Sequence, residues 1–103
     1  MIGWLRRRWR LVVVRGHSMV PTLHDGDRII VRVGRVPAAG DLVVFRARDL
    51  VPNTDVTWMV KRVERTEPDG AVRVRGDNVH SQDSRHFGAV PHEAILGVSR
   101  GRR

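Results

Sequence analysis

The sequence predicts an all-β protein folded as one compact domain, and three observations support this prediction. Short apolar runs rich in β-branched residues recur along the chain, and turn-forming residues separate them. No segment keeps an apolar repeat at helical spacing. A length of 103 residues suits one domain with one modest core. We therefore expect a small β-barrel or folded sheet with few or no helices.

Each expected strand follows from one apolar run and the turn residues beside it. Gly26 suits a tight turn before the second run, because glycine readily takes a positive φ. Pro68-Asp69-Gly70 is a strong turn signal between the fourth and fifth runs, which predicts a hairpin. A basic segment of uncertain order, residues 1–10, precedes the domain, residues 11–103. The expected strands are residues 11–14, 28–33, 41–46, 56–65, 71–75 and 94–98.

The composition excludes several kinds of site. The chain has no cysteine, which excludes a disulfide framework, a thiolate zinc site and a cysteine nucleophile. The five histidines form no close pair at the spacing of helical metal ligands, so we expect no metal and no cofactor.

The net charge of +8 is compatible with nucleic-acid or anionic-membrane binding. Arginine is scattered over the whole length, however, which indicates a general preference for this base. No apolar run approaches the about 20 residues that span a bilayer, and none resembles a signal peptide. We expect a cytoplasmic protein, with peripheral membrane contact through Trp4 and the cluster from Arg6 to Arg10 left open.

A serine lies on a stiff turn directly after the first predicted strand. The segment runs Gly16-His17-Ser18-Met19-Val20-Pro21, and the proline restricts the turn that carries Ser18. A rigid, accessible hydroxyl is how a nucleophile is presented, although many serines in turns have no such role. His17 is a poor base for Ser18, because neighbouring side chains point apart.

The single lysine is the second notable residue. Lys61 is the one lysine among 19 basic residues, and it lies 43 positions after Ser18. A lysine can lose its proton when it is desolvated, whereas an arginine cannot. Its neighbours Trp58, Met59, Val60 and Val63 could supply that desolvation. A neutral amine beside Ser18 could activate the hydroxyl as a nucleophile.

The polar loop from Gly76 to Gly88 could complete such a site. Ser81 or Ser84 could hold the Lys61 amine, and Asp83 with Arg85 could brace the loop. By strand alternation Arg62 points away from Lys61 and is free to pair with a carboxylate.

These segments together resemble the ordered motifs of the type I signal peptidase family. They are Ser18-Met19-Val20-Pro21-Thr22-Leu23, then Gly40-Asp41-Leu42-Val43-Val44-Phe45, then Lys61-Arg62-Val63, then Gly76-Asp77-Asn78 with Ser81-Gln82-Asp83-Ser84-Arg85. The resemblance covers roughly residues 11–98 and implies a mainly β catalytic core with a Ser/Lys dyad.

The resemblance also implies a role for individual residues. Ser18 would be the nucleophile and Lys61 the general base, with Ser81 orienting the amine. Asp77 would pair with Arg62, and Asp83 with Arg85. The backbone N–H of Ser18 would stabilise the oxyanion, since Gly16 stands where some members carry a hydroxyl donor. A precursor would bind as an extended strand along Val14, Gly16, His17, Met19, Met59 and Val60.

The chain differs from family members that process secreted proteins, because it has no membrane-spanning run before the serine motif. Its compact form resembles the nickel-type superoxide dismutase maturation proteases. That similarity implies removal of an N-terminal leader from a nickel superoxide dismutase precursor.

Three alternatives remain beside this interpretation. A repressor-type self-cleaving Ser/Lys domain would leave the Gly76 and Ser81 motifs unexplained. A signal peptidase-like enzyme could act at a membrane surface. A basic β-module could bind nucleic acid through Phe45 and Trp58, but five aromatic residues are few for a stacking platform, so no nucleic acid is expected. The sequence does not determine the oligomeric state.

Overall fold

The computed structural model describes residues 8–81 and 84–99 and contains a single six-stranded antiparallel sheet. The order of the strands across the sheet is β1-β2-β6-β3-β4-β5, which places β1 and β5 at the edges. The strands are β1 (Trp9–Val13), β2 (Arg28–Val33), β3 (Leu42–Arg46), β4 (Trp58–Thr66), β5 (Val72–Arg75) and β6 (Ile95–Ser99). The prediction of an all-β fold is therefore confirmed.

Two short helical segments interrupt the last part of the chain. Helix α1 spans Ser84–Phe87, inside the segment predicted as loop, and a 3₁₀ turn spans His92–Ala94. Phe87 accounts for the position of α1, because its ring lies against Phe45 with centroids 6.2 Å apart. The position of this helix is therefore explained by the contact between Phe87 and Phe45, and not by an apolar repeat at helical spacing.

The predicted turns take the expected backbone conformations. Gly26 has a φ of 90° between β1 and β2, and Gly70 has a φ of 89° between β4 and β5. The second turn closes the predicted hairpin, in which β4 and β5 pair antiparallel from Arg62 with Arg75 to Thr66 with Val72.

Strand β1 begins two residues earlier than the sequence indicated. Trp9 and Arg10, assigned above to the basic N-terminal segment, pair with Arg32 and Val31 of β2. The Arg32 guanidinium also lies over the Trp9 ring, 5.7 Å from its centroid. Pairing with β2 therefore extends β1 into the N-terminal stretch, although that stretch is mainly basic.

Strand β3 lies at the centre of the protein and is buried on both faces. Val43 and Phe45 belong to one apolar cluster, together with Val63, Val72, Val74 and Val90. Leu42 and Val44 belong to a second cluster, together with Val14, Met19, Leu23, Ile29 and Val31. The sheet thus folds around two cores, and the second of these lies beneath the turn that carries Ser18.

Candidate active site

The turn that carries Ser18 is held firmly at its base. The N–H of Val14 donates to the Asp27 carbonyl at 2.8 Å, which continues the β1–β2 pairing beyond the strand ends. The N–H of Gly16 donates to a carboxylate oxygen of Asp25, also at 2.8 Å. Met19, directly after the serine, is 1% exposed. These contacts anchor the turn on both sides of Ser18, which itself stays half-buried.

Lys61 lies on β4 and is only 3% exposed. No other charged residue in the described ranges 8–81 and 84–99 is buried to this degree. On β4 it stands between Met59 and Val63 on the same face, and it pairs with Val43 of β3. Burial of this kind disfavours the ammonium form of an amine, which is the condition a basic lysine requires.

A cleft of about 950 Å³ brings the sequence-predicted residues together. Ser18, Lys61 and Ser81 all line it, although they come from the β1–β2 loop, strand β4 and the loop after β5. The residues predicted to contact a substrate line the same cleft, namely Val14, Gly16, His17, Met19, Met59 and Val60.

Ser81 lies close to the serine turn because Gly76 leaves room for it. The Ser81 hydroxyl donates to the carbonyl of Asn78 at 2.8 Å. A Cβ atom added at Gly76 would collide with the Ser81 Oγ and would stand 2.5 Å from the Ser18 carbonyl oxygen. The absence of a side chain at Gly76 therefore allows the two segments to approach each other.

Asn78 binds the serine turn directly. Its backbone N–H donates to the carbonyl of Ser18 at 2.9 Å, and its side-chain amide donates to the carbonyl of His17 at 3.0 Å. Its side-chain oxygen accepts a hydrogen bond from the N–H of His80 at 3.0 Å. One residue thus joins the loop after β5 to the two residues that present the hydroxyl.

Asp77 and Arg62 form an ion pair at 2.7 Å, the pairing that the family resemblance implied. Arg62 also donates to the Gly40 carbonyl at 2.9 Å, and the Thr22 hydroxyl donates to the Asp77 carboxylate. The hydrogen bond from Arg62 is the main reason why the pKa of Asp77 is lowered, with a further contribution from Thr22. The same hydrogen bond raises the pKa of Arg62.

Some sequence-predicted residues fall outside this arrangement. Asp83 lies outside the described residues, as do Trp4, Arg6 and Arg7. Arg85 is exposed on α1. The proposed pairing of Asp83 with Arg85 therefore stays a prediction.

Sequence reasoning did not identify Asn78 and Thr22 as parts of the site. Asn78 stood inside a quoted motif, but nothing distinguished it from the other polar residues of that loop. Thr22 meets Asp77 across 55 positions of sequence. A contact between residues this far apart leaves no trace in a single sequence.

Comparison of the sequence with known protein families identifies the family of this chain. A model of the Peptidase S24-like family matches residues 4–99, nearly the whole chain. The chain belongs to the Peptidase S24-like family. This membership agrees with the resemblance to signal peptidases and supports a peptidase as the coarse function.

The Peptidase S24-like chain is also similar to a curated plant protein. That protein is the "Mitochondrial ATP-independent inner membrane protease subunit 1a" of Arabidopsis thaliana, with 33% identity over 114 aligned positions. The alignment covers 82% of the present chain and 64% of the relative, so the chain spans less than two thirds of the relative's length.

In the part of the chain that the structure describes, no helix combines the length and apolar character needed to cross a bilayer.

Proposed function

We propose that the chain is a serine endopeptidase in which Ser18 is the nucleophile and Lys61 the general base. The observation that carries this proposal is the burial of Lys61, 3% exposed, in the wall of the cleft that also contains Ser18. A charged side chain is rarely buried without a functional or ionic reason. An amine kept out of water in the same cleft as a hydroxyl has the chemistry of a base for that hydroxyl.

The proposed reaction has two stages. The Ser18 Oγ attacks a peptide carbonyl carbon while its proton moves to the neutral Lys61 Nζ, and the ammonium then protonates the leaving amine. Water attacks the resulting ester in the second stage, with Lys61 accepting a proton from water and returning it to Ser18. The backbone N–H of Ser18 stabilises the oxyanion in both stages.

Ser81 orients the Lys61 amine in this mechanism. Its location supports the role, because it lines the cleft and is held against Gly76 beside the Ser18 carbonyl. The Arg62–Asp77 pair has a supporting role, since it fixes the start of the Gly76 loop to β4.

The substrate binds as an extended strand between the two walls of the cleft. One wall is edge strand β1 and the residues up to Ser18. The other wall is the first part of β4, where Trp58 to Lys61 pair with β3, while pairing with β5 begins at Arg62. Edge backbone of this kind can accept another strand through main-chain hydrogen bonds.

The proposed substrate is a precursor protein with a cleavable N-terminal leader. The resemblance to nickel-type superoxide dismutase maturation proteases points to a nickel superoxide dismutase precursor. A direct test incubates the chain with that precursor and identifies the new N-terminus by mass spectrometry.

Three substitutions test the dyad. Ser18→Ala, Lys61→Ala and Lys61→Arg should each reduce cleavage to background, and Lys61→Arg is the sharpest, because a guanidinium stays charged. Thr66→Ala, at the exposed end of β4, is the matched control and should cleave normally. Circular dichroism of each variant checks the fold. Cleavage at the normal rate by Lys61→Arg would contradict the proposal.

A membrane-surface processing enzyme is the second candidate, and exposed apolar side chains favour it. Trp9, Leu11, Val13 and Trp58 are each more than 40% exposed. Aromatic and aliphatic side chains of this kind can insert into the interface of a bilayer. Co-sedimentation with phosphatidylglycerol and phosphatidylcholine vesicles separates the candidates, because a surface enzyme would sediment with the vesicles.

A further inference from the structure

Resting on the proposed peptidase function, we propose that the cleft selects substrates with an acidic side chain two to four residues from the cleaved bond. Arg15 binds that carboxylate. The partner is therefore an extended polypeptide in which an acidic residue stands beside apolar ones.

The charge of the cleft supports this choice. Among the described residues 8–81 and 84–99, its lining contains the arginines Arg10 and Arg15 but neither aspartate nor glutamate. Two carboxylates nearby already have partners, since Asp25 accepts from the Gly16 N–H and Asp77 pairs with Arg62. A concave surface lined by one sign of charge attracts a ligand of the opposite sign.

The position of Arg15 determines where the acidic residue should lie. Arg15 is exposed and stands three residues before Ser18. An extended chain advances about 3.3 Å per residue, so a strand laid along this wall places its second to fourth residues from the cleaved bond near Arg15. A guanidinium binds a carboxylate through two parallel hydrogen bonds, which makes the contact directional.

The apolar rim strengthens the expected preference. Leu11 and Val13 line one wall of the cleft, Val56 and Trp58 line the other, and all four are exposed. Once a bound substrate covers these side chains, the lower local dielectric increases the attraction between the guanidinium and the carboxylate. Apolar substrate residues would cover these side chains while the carboxylate meets Arg15.

The test uses peptides that differ only by Glu or Gln at one position, two to four residues on either side of the cleaved bond. At one of these positions kcat/KM should be about three- to five-fold higher for Glu at low salt. The ratio should approach one in 1 M salt, where the screening length is about 3 Å. Equal kcat/KM values for Glu and Gln at every position would overturn the proposal.

Variants assign the preference to one residue. Arg15→Gln should bring the Glu/Gln ratio close to one, and Arg15→Glu should favour a Lys peptide over the Glu peptide. Arg48→Gln is the matched control, because Arg48 is exposed and lies outside the cleft lining, and its ratio should equal that of the wild type. A Glu preference that survives Arg15→Gln would refute the role of Arg15.

A binding measurement separates this proposal from the proposed catalysis. Fluorescence anisotropy of labelled peptides with Ser18→Ala should show the same Glu preference without cleavage. If the wild type cleaves no peptide but this preference remains, the peptidase proposal fails and the acidic-ligand proposal stands. Binding to phosphatidylglycerol vesicles that Arg15→Gln abolishes, with no preference between peptides, would assign Arg15 to a lipid surface and overturn the proposal.

Discussion

Gly76 lies where a side chain would meet both Ser81 and the Ser18 carbonyl. A Cβ at this position would collide with the Ser81 Oγ and would stand 2.5 Å from the Ser18 carbonyl oxygen. The Ser81 hydroxyl can rotate away, but the Ser81 Cβ would still stand 2.8 Å from the added atom, and the Ser18 carbonyl belongs to the backbone of the serine turn. Any side chain at this position should therefore displace Ser18, the proposed nucleophile.

Gly76→Ala should lower kcat by at least about ten-fold, because a shift of the order of 1 Å at a catalytic group is costly. Its thermal midpoint should fall only slightly, since the strain is local. Gly97→Ala is the contrasting variant, because its methyl would meet the carbonyl of Arg32 between β6 and β2. That variant should lose stability. A Gly76→Ala enzyme with unchanged kcat would contradict this account of the site.

Asp77 makes the stability of the protein sensitive to acid. Its pKa lies below the ordinary 3.8, mainly because Arg62 donates a hydrogen bond to the carboxylate. The stabilisation is fully present above the ordinary value and is lost as the pH falls through the lower value of the folded state. The free energy of unfolding should therefore decrease below about pH 4.

Urea unfolding between pH 7 and pH 3 measures this dependence. Asp77→Asn should be less stable at pH 7 and should lose less stability on acidification. Asp49→Asn, at an exposed position in the loop after β3, is the matched control and should follow the wild-type curve. Identical pH dependence in Asp77→Asn and the wild type would show that this carboxylate is not responsible.

At the scale of structural elements, the loop after β5 and the loop between β1 and β2 form one unit. Asn78 donates two hydrogen bonds between the loops, to the carbonyls of Ser18 and His17, and the Thr22 hydroxyl adds one to Asp77. Neither loop has a regular secondary structure of its own at the site, since the described residues there form turns and bends. The position of Ser18 therefore depends on contacts between the two loops.

Asn78→Ala should reduce kcat more than it changes KM, because it frees the His17 carbonyl and loosens the turn before Ser18. Each lost hydrogen bond should cost about 1 kcal/mol of stability. Asn78→Asp removes only the donor to His17 and keeps the acceptor for the His80 N–H. Steady-state kinetics of both variants identifies which contact matters, and wild-type kcat in both would exclude a positioning role for Asn78.

At the scale of the whole molecule, β3 connects the two cores. Alternate residues of this strand pack into opposite clusters. The backbone of β3 therefore belongs to both cores at once. Lys61 pairs with Val43 of this strand, and Met19, directly after Ser18, belongs to the cluster that Leu42 and Val44 enter.

Phe45→Ala should cost about 3–5 kcal/mol of unfolding free energy, because the ring is fully buried and its removal leaves a cavity. A domain of this size has about 5–15 kcal/mol in total, so the variant should be close to unfolding. Denaturant unfolding measures the loss. Val36→Ala, 79% exposed, is the control and should change stability by less than about 0.5 kcal/mol. A small loss in Phe45→Ala would contradict a core centred on β3.

Much of the fold follows from local sequence features. Strand β2 was predicted with its observed limits, because a six-residue run with four β-branched residues stands between a glycine turn and a second glycine. The β4–β5 hairpin followed from Pro68-Asp69-Gly70. Two of the differences depend instead on contacts between distant residues, since β1 extends to Trp9 through pairing with β2, and α1 forms where Phe87 meets Phe45.

The sequence by itself determined the strands, the turns and the residue types able to perform the chemistry, because alternation, glycine and proline act over a few neighbouring positions. Only the tertiary structure decided which of these residues share one cleft. Strand β6 inserts between β2 and β3, so the sheet order differs from the chain order. The burial of Lys61, the closeness of Ser81 to Ser18 and the contacts of Asn78 depend on that packing, which is a property of the whole folded chain.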